Sequence, residues 1–330
     1  MSETASARSA KTAPIAVIIP CYNYGRFIGN SIEAVLAQTL RPAELIVVDD
    51  GSTDDTGEVC RRYPEVQHVW KENGGPSSAR NVGFRRSTAP YVIFPDADDV
   101  LHPNAMETLW RGKERVGAGV EAVFGRCEVF WDPGAEAPAE NEFLPNPEEV
   151  RGLAAEHIPP DIVVLSAQVL HRLVRSNIVP LCSALAARSA YEKAGPWDEQ
   201  FRFCQDQDMW LRIASKCRIA YVDTTVAGIR RHADNITHRS NWLRNHQEII
   251  EIAEKAAVSD WASPEVRRLA RRRCAEGKYN LGQRLADAGR FAEAAVWMKK
   301  SLESNAWRPK TWVRRTEYWI RNLCQKDRRT

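Results

Sequence analysis

The stretch that most constrains this 330-residue chain is Tyr91-Val-Ile-Phe-Pro-Asp-Ala-Asp-Asp-Val100. Four apolar residues, β-branched or aromatic, predict a short strand buried on both faces. Pro95 ends it, and Asp96, Asp98 and Asp99 then crowd three carboxylates together. Carboxylates that close repel unless a positive charge sits among them. A hard divalent cation, Mn²⁺ or Mg²⁺, suits oxygen ligands and completes its shell from water and substrate phosphates. A solvated acidic turn is the competing reading of these aspartates taken alone.

The flanking sequence weighs against that turn. Ile15–Pro20 is a second continuous apolar run, as expected of a parallel strand covered on both faces. After Cys21-Tyr-Asn-Tyr-Gly-Arg26, Ile28, Ile32, Val35, Leu36 and Leu40 recur near the helical period, and Pro42 should close that helix. Glu44–Val48 is the next strand. It runs into Asp49-Asp-Gly-Ser-Thr-Asp-Asp-Thr56, so Asp49 and Asp50 fall at a strand's carboxyl end, where open α/β sheets bind ligands. Thr53 or Asp54 can cap the helix that follows. The first strand-to-helix turn carries one glycine and two tyrosines instead of GxGxxG, which counts against a dinucleotide site.

A third strand, Val66–Trp70, leads to Asn73-Gly-Gly-Pro-Ser-Ser-Ala-Arg-Asn81. A helix N-terminus with Arg80 close by is an anion site, although a Gly-Pro turn with a capping serine fits the same letters. A helix over 104–116 and a strand over 121–131 come next. Asp132 to about Pro160 predicts a long irregular loop, and Asp161–Ser176 an amphipathic helix. Met209, Trp210, Leu211 and Ile213 form the apolar face of a helix starting at Asp206 or Asp208, and 218–222 is a strand.

Residues 1–13, rich in Ser, Thr and Ala, read as a disordered tail without a signal sequence. Eight scattered cysteines with no CxxC pair predict reduced thiols, hence a cytoplasmic chain without disulfides or a zinc site. No run reaches the roughly 18 apolar residues that span a bilayer. Residues 241–330 form a helical region, with one tetratricopeptide-like hairpin turning at Ala288-Gly289-Arg290. That region holds 20 Lys and Arg against 11 Asp and Glu, leaving 26 against 32 in residues 1–240. Its arginines at 267, 268 and 271–273, with Trp307, Trp312 and Trp319 further along, suit the headgroups of an anionic membrane. A solvated basic face is the plainer alternative.

An apolar strand ending in Pro20-Cys-Tyr-Asn23, then VVDDGSTDDT, NGGPSSARNVG, FPDADD and CQDQDMWLR, stand in one order along the chain. Together they resemble an inverting glycosyltransferase of family 2. The resemblance covers Ile15 to about His238 and implies an α/β GT-A fold over residues 14–240: a Rossmann-like mixed sheet flanked by helices, with a C-terminal all-helical extension. It further implies a nucleotide-sugar donor, of the UDP type, held by Pro20, Tyr22, Asn23, Asp49, Asp50, Arg80, Asp96, Ala97 and Asp98. Asp50 would accept the uracil N3–H, Arg80 would lie by the diphosphate, and Asp96 and Asp98 would form the metal-binding DxD motif. His232 would approach the same divalent metal. Asp206 would be the general base, with Gln205 in place of the family's usual acidic neighbour. The expected acceptor is a glycan or a lipid-linked molecule, with no nucleic acid partner, at the cytoplasmic face of a membrane. Processive members carry a Gln-x-x-Arg-Trp motif and membrane helices, so one sugar per encounter is expected. A nucleotidyltransferase would need an early Gly-rich phosphate loop, and a non-catalytic nucleotide-sugar-binding protein should have lost the DxD or the base.

Overall fold

The computed structural model of the chain describes residues 11–132, 144, 146–235, 241–304, 314, 317 and 318. They form two units. One comprises the residues up to Val169 together with Asn177–Ala233; the other comprises Leu170–Ser176 and the residues from Asp234 onward.

In the first unit, strands β1 (Lys11–Cys21), β2 (Leu40–Asp49), β3 (Gln67–Trp70) and β4 (Tyr91–Ile93) run parallel in the order β3-β2-β1-β4. Helices α1 (Gly25–Leu36), α2 (Thr56–Cys60) and α3 (Pro76–Arg86) link them. Then come β5 (Val100–Leu101), α4 (Ala105–Val116), β6 (Ala122–Trp131), α5 (Pro147–Arg151), β7 (Ala154–Ile158) and β8 (Ile162–Leu165). Helix α6 (Gln168–Arg175), whose residues from Leu170 count with the second unit, is followed by β9 (Ala184–Ala187), α7 (Arg188–Ala194), α8 (Gln205–Ala214) and β10 (Ile219–Arg231). The full sheet reads β3-β2-β1-β4-β9-β6-β10-β8-β7, with β5 alongside β10. β9 is antiparallel to both β4 and β6, so the sheet is mixed, as expected.

The apolar runs do what their composition predicts. Val17, Ile18, Ile19, Ile46, Val47 and Val48 are fully buried, because helices pack on both faces. Gly83 sets how closely α3 approaches the sheet: a Cβ there would meet Ile18 Cγ2 at 2.3 Å. Only glycine permits that contact, and it fixes where Arg80, one turn earlier, can reach.

Several expected boundaries differ. β1 begins at Lys11, and residues 11–13, assigned to the tail, pair with Leu40–Pro42; residues 1–10 lie outside the described residues. α1 ends at Leu36, and Leu40 and Pro42 already belong to β2. Pro42 sits beside a register irregularity, where its missing N–H is tolerated. The expected helix over 161–176 is strand β8 followed by α6. Ile-Val-Val-Leu pairs with β7 and β10, so β-branched side chains fitting a buried ladder outweigh a period that reads equally as helix. The expected loop to Pro160 contains α5 and β7, with Asn146 capping α5; its residues 133–143 and 145 lie outside the described residues. β10 runs past Val222 to Arg231, with register shifts on either side of Thr225.

In the second unit, α9 (Trp242–Val258), α10 (Pro264–Asp287) and α11 (Phe291–Ser304) bury Ile250, Leu281, Leu285, Ala294 and Met298 together. Ser263 caps α10 and Pro264 opens it. α10 and α11 turn through Gly289, whose φ of 74° suits glycine. The tryptophans at 307, 312 and 319 lie outside the described residues. Among the described residues no helix is long and apolar enough to cross a membrane.

Candidate active site

The carboxyl ends of β1, β2, β3 and β4 each pass into a loop, and these loops are bonded to one another. Asp50 N–H donates to Cys21 O at 2.8 Å, and Lys71 N–H to Asp49 O at 2.9 Å. Asn23 adopts φ 54°, a left-handed conformation that asparagine tolerates. Its backbone N–H reaches Ser52 Oγ at 2.9 Å, and its Oδ1 accepts from Thr53 N–H at 2.8 Å. Pro20 is buried at the end of β1, whereas the next aromatic, Tyr22, is 48% exposed.

Asp49 and Asp50 have different surroundings. Asp49 Oδ1 accepts from Ser52 N–H at 2.8 Å, and its Oδ2 lies 3.3 Å from His68 Nε2. Asp50 Oδ1 accepts from Lys71 Nζ at 2.6 Å and Gly74 N–H at 3.0 Å, and Oδ2 accepts from Gly75 N–H at 2.7 Å. The sequence reading assigned Lys71 no role. Its only signal is that it follows a strand end, as the other site residues do.

Arg80 is buried on α3 and donates Nη2 to Asp96 Oδ1 at 2.5 Å, with its guanidinium 5.1 Å from the Trp197 ring centre. Its Nε and Nη1 are buried with no hydrogen-bond partner. Two orphaned N–H groups on a buried cation are costly, and an anionic ligand is what satisfies them. Trp197 lay in the sequence only as part of a Gly-Pro turn, with nothing to mark it.

Ala97 is buried between the two DxD carboxylates. Burial, and then the charge of Asp98, push the Asp96 carboxyl above its usual range against the pull of Arg80. Burial and the charges of Asp98 and Asp96 hold Asp99 well above that range. Asp99 belongs to a separate buried group with Cys182 and Cys127, whose sulfurs are 3.7 Å apart as free thiols.

His232, at the end of β10, places Nε2 3.0 Å from Asp98 Oδ2 and Nδ1 3.5 Å from Arg26 Nη2, with its ring against Phe27. The residue that the resemblance brings toward the metal thus faces the Asp98 carboxylate directly. Among the described residues no group of three His, Cys, Asp or Glu side chains is disposed to hold a metal. Asp96 and Asp98 still offer the two carboxylates that a hard divalent ion takes when phosphates and water complete its shell. The charge of Asp98 helps raise the Asp96 carboxyl, which a cation between the two would relieve, so Asp96 and Asp98 fit such an ion.

Asp206 lies in the first turn of α8. Its Oδ2 accepts from Asn177 Nδ2 and its Oδ1 from Gln207 N–H, each at 2.8 Å. Burial raises its carboxyl above the usual range, while Gln207 N–H, Arg80 and Asn177 oppose the shift. Arg80 and Asp96 both act on it electrostatically, which places it with the DxD carboxylates. Asp208, two residues on, is buried and paired with Arg212 Nη2 at 2.8 Å. Gln205 Oε1 is buried without a partner. Asn177 carried no signal in the sequence, since it follows a helix end with no motif around it.

The sequence profile of Glycosyl transferase family 2 matches residues 16–160. The uncharacterised glycosyltransferase RP339 of Rickettsia prowazekii is 24% identical over 237 residues, covering 71% of this chain and 70% of its own length. GlyA and GlyG of Streptococcus pneumoniae are 38% and 36% identical over 101 and 111 residues, which are 14% and 37% of their own lengths. Among solved structures, S. aureus TarS 1-349 with UDP-GlcNAc superposes with TM-score 0.62 at 15% identity, over 96% of this chain and 91% of that one. The mannosyltransferase PcManGT of Pyrobaculum calidifontis, with GDP-Man and Mn²⁺, gives 0.56 at 19% identity, over 94% and 86%. The fold is GT-A, and residues 16–160 are similar to the family 2 glycosyltransferases.

Proposed function

We propose that this glycosyltransferase moves a sugar, with inversion, from a nucleoside diphosphate donor to an acceptor hydroxyl. The observation that carries the reading is the grouping of Arg80, with two orphaned N–H donors, Asp96 and Asp206 around one centre. Arg80 receives the diphosphate and meets the charge that develops on it as the C1–O bond breaks. Asp206 accepts the proton of the acceptor hydroxyl while that oxygen attacks C1 from the opposite side. Its raised pKa makes it a stronger proton acceptor than an ordinary carboxylate, and Asn177 holds it in place. A divalent ion at Asp96 and Asp98, when bound, neutralises the leaving diphosphate. His232 and Arg230 hold Asp98, through its side chain and its backbone carbonyl at 3.2 Å.

The donor is a UDP-sugar, a reading that TarS with UDP-GlcNAc supports, and the divalent ion is supported by the Mn²⁺ of PcManGT. The acceptor is a glycan or a lipid-linked molecule met at the cytoplasmic face of a membrane. Thermal shift with UDP, GDP, CDP and ADP, each with and without Mn²⁺, tests the donor half. A ligand of the native state raises apparent stability by mass action. Equal shifts with and without Mn²⁺ would remove the metal from the scheme.

A further inference from the structure

The DxD loop rests on a pair of thiols that the reaction above does not use. Asp99 is buried, and its backbone N–H closes the loop onto Asp96 O at 3.1 Å. The Cys182 thiol donates to the Asp99 carboxyl, and its sulfur lies 3.7 Å from that of Cys127. Cys127 stands on β6 and Cys182 in the 3₁₀ turn Leu181–Ser183 before β9, both as free thiols. A disulfide needs about 2.0 Å between sulfurs, so the pair is already in contact and close to bonding distance. The two thiols differ. Cys127 is 9% exposed and Cys182 2%, so a small neutral oxidant meets Cys127 first. The hydrogen bond to Cys127, then burial and the charge of Asp99, hold Cys182 well above the ordinary thiol range, and it keeps its proton. Cys127 is therefore the attacking sulfur.

We infer that Cys127 and Cys182 are a peroxide-sensitive pair whose closure into a disulfide unseats Asp99 and weakens donor binding at the DxD loop. The effect on the donor rests on the nucleoside diphosphate reading above. The Cys127 thiolate attacks one oxygen of hydrogen peroxide, the O–O bond breaks, and hydroxide leaves, taking up the proton that Cys127 lost. Cys127 is then a sulfenic acid. The Cys182 sulfur attacks Cys127 Sγ, the S–O bond breaks, and the Cys182 proton departs with the hydroxyl as a second water. The two thiols together lose two electrons, and one peroxide gains them. Asp99 thereby loses its thiol donor while it stays a buried carboxyl next to Asp98. Its backbone closes the turn that carries Asp96 and Asp98, so a displaced Asp99 moves both carboxylates. A dithiol reductant returns the two thiols by exchange.

Hydrogen peroxide on the full chain, followed by alkylation and peptide mapping without reductant, tests the first half. The expected product is a pair of peptides joined through Cys127 and Cys182, with the chain lighter by two hydrogens. Calorimetry of UDP in Mn²⁺ tests the second half. Affinity should fall about 3–10-fold on oxidation, the range for one lost hydrogen bond, and return with dithiothreitol. Cys127→Ala should bind UDP as the reduced chain does, and peroxide should leave that affinity unchanged. Thiols that stay free, or that pass to sulfinic acid without a bridge, would overturn the inference. So would a mapped disulfide that leaves UDP affinity where it was. Should Cys127→Ala fail to fold, the map and the reversal by dithiothreitol on the unaltered chain decide alone. If the reduced chain binds no UDP, the donor reading falls, and the peptide map judges the thiol pair separately.

Discussion

Two loops at the carboxyl ends of parallel strands are both acidic on paper. Asp50, Asp54 and Asp55 follow β2, which itself ends in Asp49, and Asp96, Asp98 and Asp99 follow β4. The first loop neutralises itself. Its carboxylates accept from Ser52, Lys71, Gly74 and Gly75, and Asp54 takes Gly25 N–H at 2.9 Å and Thr56 Oγ1 at 2.6 Å. Burial works against Asp54, yet these hydrogen bonds hold its carboxyl below the usual range. In the second loop burial and the charge of Asp98 push Asp96 the other way, and burial with the charges of Asp98 and Asp96 does the same to Asp99. Carboxyls of two acidic loops are thus shifted in opposite directions by what the fold sets around them, not by how many acids there are.

The comparison breaks first at Asp98. Asp98→Asn should lower turnover by on the order of 10³-fold or more and weaken UDP binding in Mn²⁺, with the circular dichroism unchanged. Metal-independent affinity that survives the substitution would show that the two loops do not differ in kind. Next comes Asp206→Asn, which should cost about 10²–10⁴ in kcat and leave donor affinity intact. Asp208→Asn serves as its contrast. It strands a buried Arg212 and should lower stability by about 3–5 kcal/mol, read by urea unfolding.

Two smaller effects sharpen the contrast. Asp54→Asn should cost about 1–2 kcal/mol of stability through its lost hydrogen bonds, with kcat per folded molecule unchanged. A fall in kcat there would give the first loop a chemical role. Acid should separate the loops as well. Carboxyls raised in the fold destabilise it at neutral pH, and that penalty fades as pH falls toward the ordinary carboxylate value near ~3.9. Asp54, depressed, contributes stability above that value and loses it only below. The rise in Tm that Mn²⁺ gives at pH 7 should therefore shrink as pH drops through the raised values of Asp96 and Asp99, because protons take the cation's place. For Asp206, activity should increase with pH through a value above the ordinary carboxylate, and Asn177→Ala, removing a bond to the charged form, should move that limb higher. A pH–rate profile unmoved by Asn177→Ala would detach Asn177 from the base.

Strand ends were the legible part of this chain. Continuous apolar runs stopped by Pro20, Asp49 and Pro95 located β1, β2 and β4, and therefore the loops that a GT-A sheet uses. Period failed where it was ambiguous: Ile162–Leu165 reads as helix or strand until the ladder to β10 decides. Partners that act through a single long-range contact were illegible. Asn177 meets Asp206 across 29 positions and His232 meets Asp98 across 134, and no local pattern encodes such a meeting. Lys71 was passed over for the opposite reason, since a lone lysine after a strand is commonplace.

Asn81, inside the same ARN triplet as Arg80, sends its side-chain hydrogen bonds to Trp197 and Glu199 and not to either acidic loop. Its Nδ2 donates to Trp197 O at 3.0 Å and its Oδ1 accepts from Trp197 N–H at 2.8 Å, while Ser77 Oγ donates to Phe201 O at 3.0 Å. A side-chain amide that matches both halves of a distant peptide unit stands in for a neighbouring strand. The helix bearing Arg80 and the segment leading to Asp206 are thereby riveted to one mount, although far apart in the chain. A shift of one of these segments relative to the other would have to break those bonds first, so the spacing between Arg80 and Asp206 is tied to the α3 anchor.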